Sequence, residues 1–475
     1  MYTAREPAIA VAEPAPAGTA ESYTDYGKNP WIDASKDHLS TFAADVDTAS
    51  YTIARTKLNS GVLPPQPSVR VEEWVNYFHY SFPGGGSPFA VVMDAARQPF
   101  APEDDARYVL RVGVATAPKP AFERKPAHLV FLVDVSGSMD EPNKLPLAKQ
   151  ALHILTDNLN ARDSVSLVTY AGATRLVLPM TSIDDKARIH AAIDSLSANG
   201  STAMASGIDL AYEQAQKWLR PGEISRVIVC TDGDANVGPH STQELLSLIE
   251  SRAKQGVALS TIGFGMGNYK DSMMEQLADK GNGNNYYIDS LAMAKRVFAD
   301  QLTSTLEVAA KDVKLQVDFE PTLVSRYRLI GYENRDVADQ DFRNDAVAAG
   351  QVGWGHQVTA LYEVELTDAG KTQPFGTVRI RHKQPEADRA VEDAFAMQAP
   401  AAASFATASR DLRFAFAVAA FADVLRGGAE WSLGDIRALA QDAAGEDKDR
   451  LELVSLIDRA RALRPEQKVA RTTGR

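Results

Sequence analysis

Between residues 128 and 308, short apolar runs alternate with longer stretches whose apolar residues recur every three or four positions. A continuous apolar run suits a strand buried on both faces, and the three-to-four spacing suits a helix with one buried stripe. Strands are predicted at 128–134, 164–170, 175–179, 226–231, 257–263 and 285–288. Helices are predicted at 144–159, 184–197, 203–219, 241–254, 271–280 and 291–307. Ile189, Ile193 and Leu196 mark one stripe, and Ile208, Ala211, Ala215, Trp218 and Leu219 another. Ser241 with Glu244 makes a capping box. The strands at 164–170 and 175–179 are joined by only four residues, too few for a parallel crossover, so that pair is a hairpin. The sum is an α/β unit: a doubly wound, mostly parallel six-stranded sheet with one antiparallel edge.

The flanks read differently. Helices are predicted at 48–58 and 71–78, the first ended by Pro64-Pro65-Gln66-Pro67, followed by strands at 89–93 and 108–114. Beyond 310 come strands at 313–319, 327–332, 358–366 and 376–382, then Ala-rich helices at about 405–426, 432–443 and 448–463. We expect the strands on either side of the β/α unit to pair into one β-sandwich, with that unit inserted between its halves. The expected organisation is a Pro/Ala-rich linker over 1–30, most marked at 7–18, an N-terminal region over 31–120, the doubly wound domain over 126–308, and a β-rich then helical region over 309–475.

The junction at the first predicted strand's carboxyl end carries the chemistry. Leu129–Val133 runs straight into Asp134-Val135-Ser136-Gly137-Ser138, so a carboxylate and two hydroxyls at alternate positions leave the sheet together. In an open α/β sheet, ligands bind beyond the carboxyl ends of the strands, where the strand order reverses. In the common order 3-2-1-4-5-6, strands one and four are neighbours at that point. Asp232 ends strand four, in Cys230-Thr231-Asp232-Gly233-Asp234, and Thr202 lies in the loop opening the helix at 203. Asp134, Ser136, Ser138, Thr202 and Asp232 together form an oxygen set that suits a small hard cation such as Mg²⁺. Without a cation the two carboxylates would raise each other's pKa.

This pattern resembles the von Willebrand factor type A fold and its metal-ion-dependent adhesion site, Asp-x-Ser-x-Ser followed by a Thr and then an Asp. All five positions are filled without substitution. The resemblance implies direct coordination by Ser136, Ser138 and often Thr202, with Asp134 and Asp232 acting largely through water. It also implies Mg²⁺, or Mn²⁺ or Ca²⁺ at the same place. Neutral hydroxyl ligands leave the ion under-neutralised, so an open position is expected to take a Glu or Asp from a protein partner. Ser40–Tyr51, Arg70–Glu73, Gly263–Tyr269 and Leu329–Asn334 further resemble the bacterial YfbK-like proteins, over about residues 36 to 465. Members are commonly exported, often as lipoproteins, which implies the cell envelope or periplasm. The expected function is therefore non-enzymatic, metal-dependent protein binding. The alternatives are a Mg²⁺-dependent hydrolase of phosphate esters and an envelope protein whose metal is purely structural.

Other signals change the picture less. Asp45-Val46-Asp47-Thr48 has the Asp-x-Asp-x-Thr spacing of a phosphatase nucleophile loop, but Ser40–Ala44 is a poor preceding strand and a proline-rich break follows. Asp45 and Asp47 are read as braces. Gly263-Phe264-Gly265-Met266-Gly267-Asn268 lacks the Gly-x-Gly-x-x-Gly spacing of a dinucleotide loop and reads as a tight loop on the metal-bearing rim. Met266, Met273 and Met274 are assigned to packing. His153 and His190 fall within helices, as surface or packing residues.

The net charge of −12 argues against a nucleic-acid partner. The single cysteine, Cys230, sits in an apolar strand and is expected to be a buried small hydrophobe. No run of about 18 apolar residues predicts a spanning helix. Met1–Arg5 lacks the apolar segment of an export signal, so membrane anchoring would require an upstream signal, and the cytoplasm stays open.

Overall fold

The computed structural model describes residues 21–83, 88–102, 105–200, 204–233, 241–429 and 431–464. The linker at 7–18, Thr202 and Asp234 lie outside the described residues.

The N-terminal part contains β1 (Ile32–Asp33), β2 (Leu39–Ala43), α1 (Ala49–Asn59), α2 (Val71–Tyr77), β3 (Phe89–Arg97) and β4 (Arg107–Thr116). The middle runs β5 (Ala127–Asp134), α3 (Leu145–Asp157), β6 (Ser164–Tyr170), β7 (Arg175–Ser182), α4 (Lys186–Asp194), α5 (Met204–Lys217) and β8 (Ile224–Thr231). It continues through α6 (Thr242–Lys254), β9 (Val257–Gly263), α7 (Asp271–Lys280), β10 (Asn285–Tyr287), α8 (Leu291–Lys295) and α9 (Leu302–Leu306). Then come β11 (Val308–Phe319), β12 (Val324–Ile330), β13 (Gly350–Gly353), β14 (Gln357–Leu366), β15 (Gly376–Lys383) and β16 (Ala390–Ala396). Helices α10 (Arg410–Leu425), α11 (Leu433–Ala444) and α12 (Lys448–Leu463) follow.

The central sheet has the order β10-β9-β8-β5-β6-β7. All its pairs are parallel except β6–β7, the predicted hairpin. β5 is buried along its whole length, as its unbroken apolar run requires of a strand covered on both faces. Helices α5, α6 and α7 cover one face, and α3, α4, α8 and α9 the other. The capping box at Ser241 and Glu244 is present. The helix predicted over 291–307 is broken: a widened π turn at Arg296–Asp300 separates α8 from α9. That turn coincides with ties from the Arg296 guanidinium to the Tyr77 carbonyl and Asp449, long-range contacts that local periodicity does not encode.

The flanking strands do form two sheets. One is β1-β12-β14-β4-β3, and the other is β13-β11-β15-β16 with β2 paired to β11. Each mixes strands from before and after the doubly wound unit, and they share one core that includes Phe42, Leu110, Val317 and Tyr362. Strands β1, β2, β13 and β16 are absent from the sequence-based expectation. They are short or weakly apolar, and their pairing partners hold them. β2 corrects the reading of Ser40–Ala44: Leu39–Ala43 is a strand, paired antiparallel with β11. It therefore does not lead a parallel phosphatase-type core.

Three of the resemblance-bearing segments, Ser40–Tyr51, Arg70–Glu73 and Leu329–Asn334, meet at one buried junction. Glu73 accepts from the Ser50 backbone N–H at 2.8 Å, while the Ser50 hydroxyl accepts from Trp74 Nε1 at 3.1 Å. Glu72 Oε2 accepts from Tyr332 N at 3.0 Å. Arg70 pairs with Glu73 and, on the doubly wound unit, with Asp271. Arg335 reaches Asp45 at 3.2 Å and Asp279 at 2.8 Å. Asp47 accepts from Asn285 N at 2.9 Å, so Asp45 and Asp47 are braces. On the other side of α2, Trp74 meets Phe421 of α10 edge-on at 5.5 Å. Among the described residues, no helix is long and apolar enough to cross a membrane.

Candidate metal centre

β5 and β8 are hydrogen-bonded neighbours, and the strand order reverses between them. Their carboxyl ends deliver Asp134 and Thr231-Asp232 to one rim. Both carboxylates are fully buried. Asp134 Oδ1 accepts from Ser136 N at 2.9 Å, and its Oδ2 accepts from the Thr231 hydroxyl at 3.0 Å. These bonds turn the chain so that the Ser136 and Ser138 hydroxyls lie 3.0 Å apart. The loop before α5 is stitched to this turn: Gly137 N donates to Gly200 O at 3.0 Å and Asn199 N to Val135 O at 2.7 Å. Gly200 thus lies against the turn that carries Ser136 and Ser138. Thr202 itself lies outside the described residues.

Two polar side chains join the rim: Asn268, from the glycine loop that the sequence places there, and Lys144, which sequence reasoning did not assign to it. The Lys144 ammonium donates to the Ser138 carbonyl at 3.0 Å and to Asp232 Oδ2 at 3.2 Å. One cationic nitrogen therefore spans both arms of the site, and the side chain is only 4% exposed. Asn268 Nδ2 donates to the same Asp232 oxygen at 3.1 Å. Lys144 needs room, and Gly265 supplies it: its φ is +69° and a Cβ there would come within 2.4 Å of Lys144 Cγ. The glycine loop is thus on the rim as expected, closing over a lysine rather than a phosphate. The sequence alone offers only a lysine six residues after Ser138, at the start of the next helix; its burial against Gly265 is a tertiary fact.

The donor chemistry fits a hard divalent cation. Burial, with the charge of Asp232 adding to it, pushes the Asp134 carboxyl up to about 6 against the opposing pull of Ser136 and Thr231 hydrogen bonds. A carboxylate held that way gains from a nearby cation. Asn268 Oδ1 is a buried acceptor that has no hydrogen-bond partner among the described residues, and its amide donates to Asp232. Nearby, a cleft of about 490 Å³ opens on the rim, lined by Val135, Asn199, Gly200 and Arg175 among others. Cys230, one residue before Thr231, is buried, and burial pushes its thiol up to about 12. Met274 is fully buried, and Met266 and Met273 pack against the same core.

Comparison with known proteins gives three matched segments. Residues 128–300 match the von Willebrand factor type A domain, residues 304–463 the C-terminal region of the uncharacterized protein YfbK, and residues 17–106 a model described as von Willebrand factor. Uncharacterized protein YfbK of Escherichia coli (strain K12) is 38% identical over 475 residues, spanning 93% of this chain and 81% of that protein. Uncharacterized protein sll0103 of Synechocystis sp. is 27% identical, over 45% of this chain and 49% of its own length. Among solved structures, a von Willebrand factor type A protein from Catenulispora acidiphila superposes with a TM-score of 0.45 at 18% identity, covering 79% of this chain and 91% of that one.

Proposed function

The chain belongs to the YfbK family and contains a von Willebrand factor type A domain, and on that premise we propose that it is a non-enzymatic, metal-dependent protein-binding module. In this reading Asp134, Ser136, Ser138, Thr202 and Asp232 hold Mg²⁺, with Mn²⁺ or Ca²⁺ able to take its place. The observation that carries it is the pairing of two buried carboxylates at the switch point against one ammonium. Among the buried groups, Asp134 and Asp232 ionised with Lys144 protonated leave one negative charge; Glu141, 3.2 Å from the same ammonium, is solvent-exposed and screened. A divalent ion converts that into one positive charge, which favours a carboxylate arriving from outside. A Glu or Asp of a protein partner is that ligand, and the adjoining cleft would seat the segment that bears it. By family resemblance we place the protein at the cell envelope, which fractionation of its host cells tests.

The direct experiment is titration calorimetry with Mg²⁺ and Mn²⁺ on the wild type and on Asp134→Ala and Asp232→Ala, each checked for an intact fold. We expect one site in the wild type, lost in both variants, and partner capture that disappears with EDTA. Wild-type protein that binds neither ion, or capture undiminished in EDTA and in Asp134→Ala, overturns the reading. A generic phosphate ester should yield no product.

A further inference from the structure

Where the start of α2, the turn after β12 and the end of α10 come together, a cavity of about 190 Å³ stays open. Residues 24–28 form its outer wall, and most of that segment is exposed on its other side. The wall is pinned at both ends. Glu21 accepts from Gly267 N at 2.9 Å, Lys28 Nζ donates to Gly427 O at 2.8 Å, and Asn29 Nδ2 donates to Gly331 O at 2.8 Å. The lining is charged but balanced: Asp25, Glu72 and Glu333 oppose Lys28, Arg70 and Arg426.

Two of these groups are incomplete, although Arg70 is only 5% exposed and Glu72 only 1%. Arg70 gives its Nε to Glu73 and its Nη1 to Asp271, whereas its Nη2 has no partner among the described residues. A guanidinium has five N–H donors, so the two on Nη2 are idle. Glu72 accepts from Tyr332 N through Oε2 at 3.0 Å, and its Oε1 is the second unpartnered atom. Burial and the neighbouring Glu333 charge push the Glu72 carboxyl up to about 7. A cation beside the two carboxylates relieves that repulsion. Arg426 reaches Glu333 at 2.8 Å but is shared with Asp423. A buried donor and a buried acceptor left this way are costly.

The missing partner has to offer both signs. A lone anion on Arg70 would add to the repulsion at Glu72 and Glu333, and a lone cation would leave Nη2 idle. Among the described residues, no three His, Cys, Asp or Glu side chains gather to hold a metal. We propose that the cavity binds a small zwitterion of the α-amino acid class, its carboxylate on Arg70 Nη2 and its ammonium on Glu72 Oε1 beside Glu333. Such a ligand accepts from the idle guanidinium nitrogen and donates to the idle carboxylate oxygen. Both bonds are charge-assisted, the stronger kind, and a ligand that is neutral overall keeps the lining balanced.

The test is titration calorimetry on the full chain with glycine, L-alanine, acetate and methylammonium, the last two being the halves of glycine. The cavity shares no residue with the Asp134–Asp232 rim, and EDTA in every titration keeps metal at that rim out of the measurement. We expect one equivalent of glycine or L-alanine to bind the wild type, about tenfold or more tighter than either half. Glu72→Gln keeps the shape and removes the charge; it should weaken amino-acid binding by about the same factor, with circular dichroism unchanged. The probe series on the wild type needs no variant. Wild-type protein that gives no heat with either amino acid holds water alone in the cavity, and the proposal is overturned. Acetate or methylammonium binding as tightly as glycine, or unchanged affinity in folded Glu72→Gln, overturns it as well.

Discussion

At the scale of single residues, charge placement in dry surroundings decides most outcomes. Lys144 is the clearest case, because its ammonium partly satisfies Asp232. Breaking a buried ion pair leaves an uncompensated charge and costs about 3–5 kcal/mol. Lys144→Gln should therefore lower stability by that order in EDTA, with Mg²⁺ restoring part of the loss and binding more tightly than to the wild type. Denaturant unfolding with and without Mg²⁺ measures both effects. Glu72 poses the opposite problem. Burial, with the charges of Glu333 and Asp45 adding to it, pushes its carboxyl up to about 7, and its Oε1 has no hydrogen-bond partner among the described residues. A glutamate titrates near 4.3 in the unfolded chain, so the fold holds this proton more tightly. The stability from Glu72 is then complete below about pH 4.3 and is lost as pH rises through 7. Glu72→Gln should unfold like the wild type near pH 4 and be more stable by roughly 1–3 kcal/mol at pH 8, seen in melts across that range.

At the scale of elements, the junction of α1, α2, α7 and the turn after β12 couples the sandwich to the doubly wound sheet. Arg70 is its hub, 5% exposed and shared between Glu73 and Asp271. Arg70→Met keeps most of the side-chain volume but leaves those carboxylates unpaired, for which about 3–5 kcal/mol of lost stability is expected in chemical denaturation. Asp271 lies three residues after Asn268, which donates to Asp232. The same loop thus serves both the junction and the carboxylate rim. Restored stability in Arg70→Lys would show that the charge, rather than the forked geometry, is what α7 needs.

At the scale of the whole molecule, the sandwich cannot be assembled from one side of the insertion. β4 lies between β3 and β14, and β11 pairs with β2 and β15, so each sheet needs strands separated by the whole doubly wound unit. A fragment of residues 304–475 should lack a cooperative thermal transition, and co-expression with residues 21–120 should recover it only if the chain ends can still meet. Calorimetry of the fragment alone checks the first expectation; a sharp transition there would show that the C-terminal half folds without β2 and β4.

The doubly wound sheet was readable along the chain because its strands are continuous apolar runs and its helices keep a regular stripe, both local patterns. The hairpin of β6 and β7 followed from loop length alone. Asp134, Ser136, Ser138 and Asp232 were readable for a related reason: strand ends at a switch point constrain where their side chains go. Other features depended on partners far away in sequence. β2 is a strand because β11 pairs with it, and the break between α8 and α9 coincides with ties from Arg296 to Tyr77 and Asp449. Lys144 belongs to the rim because Gly265, more than a hundred residues later, leaves space for it. His153 and His190 were readable as helix positions, but only the packing of α3 on α4 brings their imidazoles together. Periodicity and spacing act within one element, whereas charge compensation and edge pairing act between elements, and a linear reading sees the second kind only once the fold has brought them into contact.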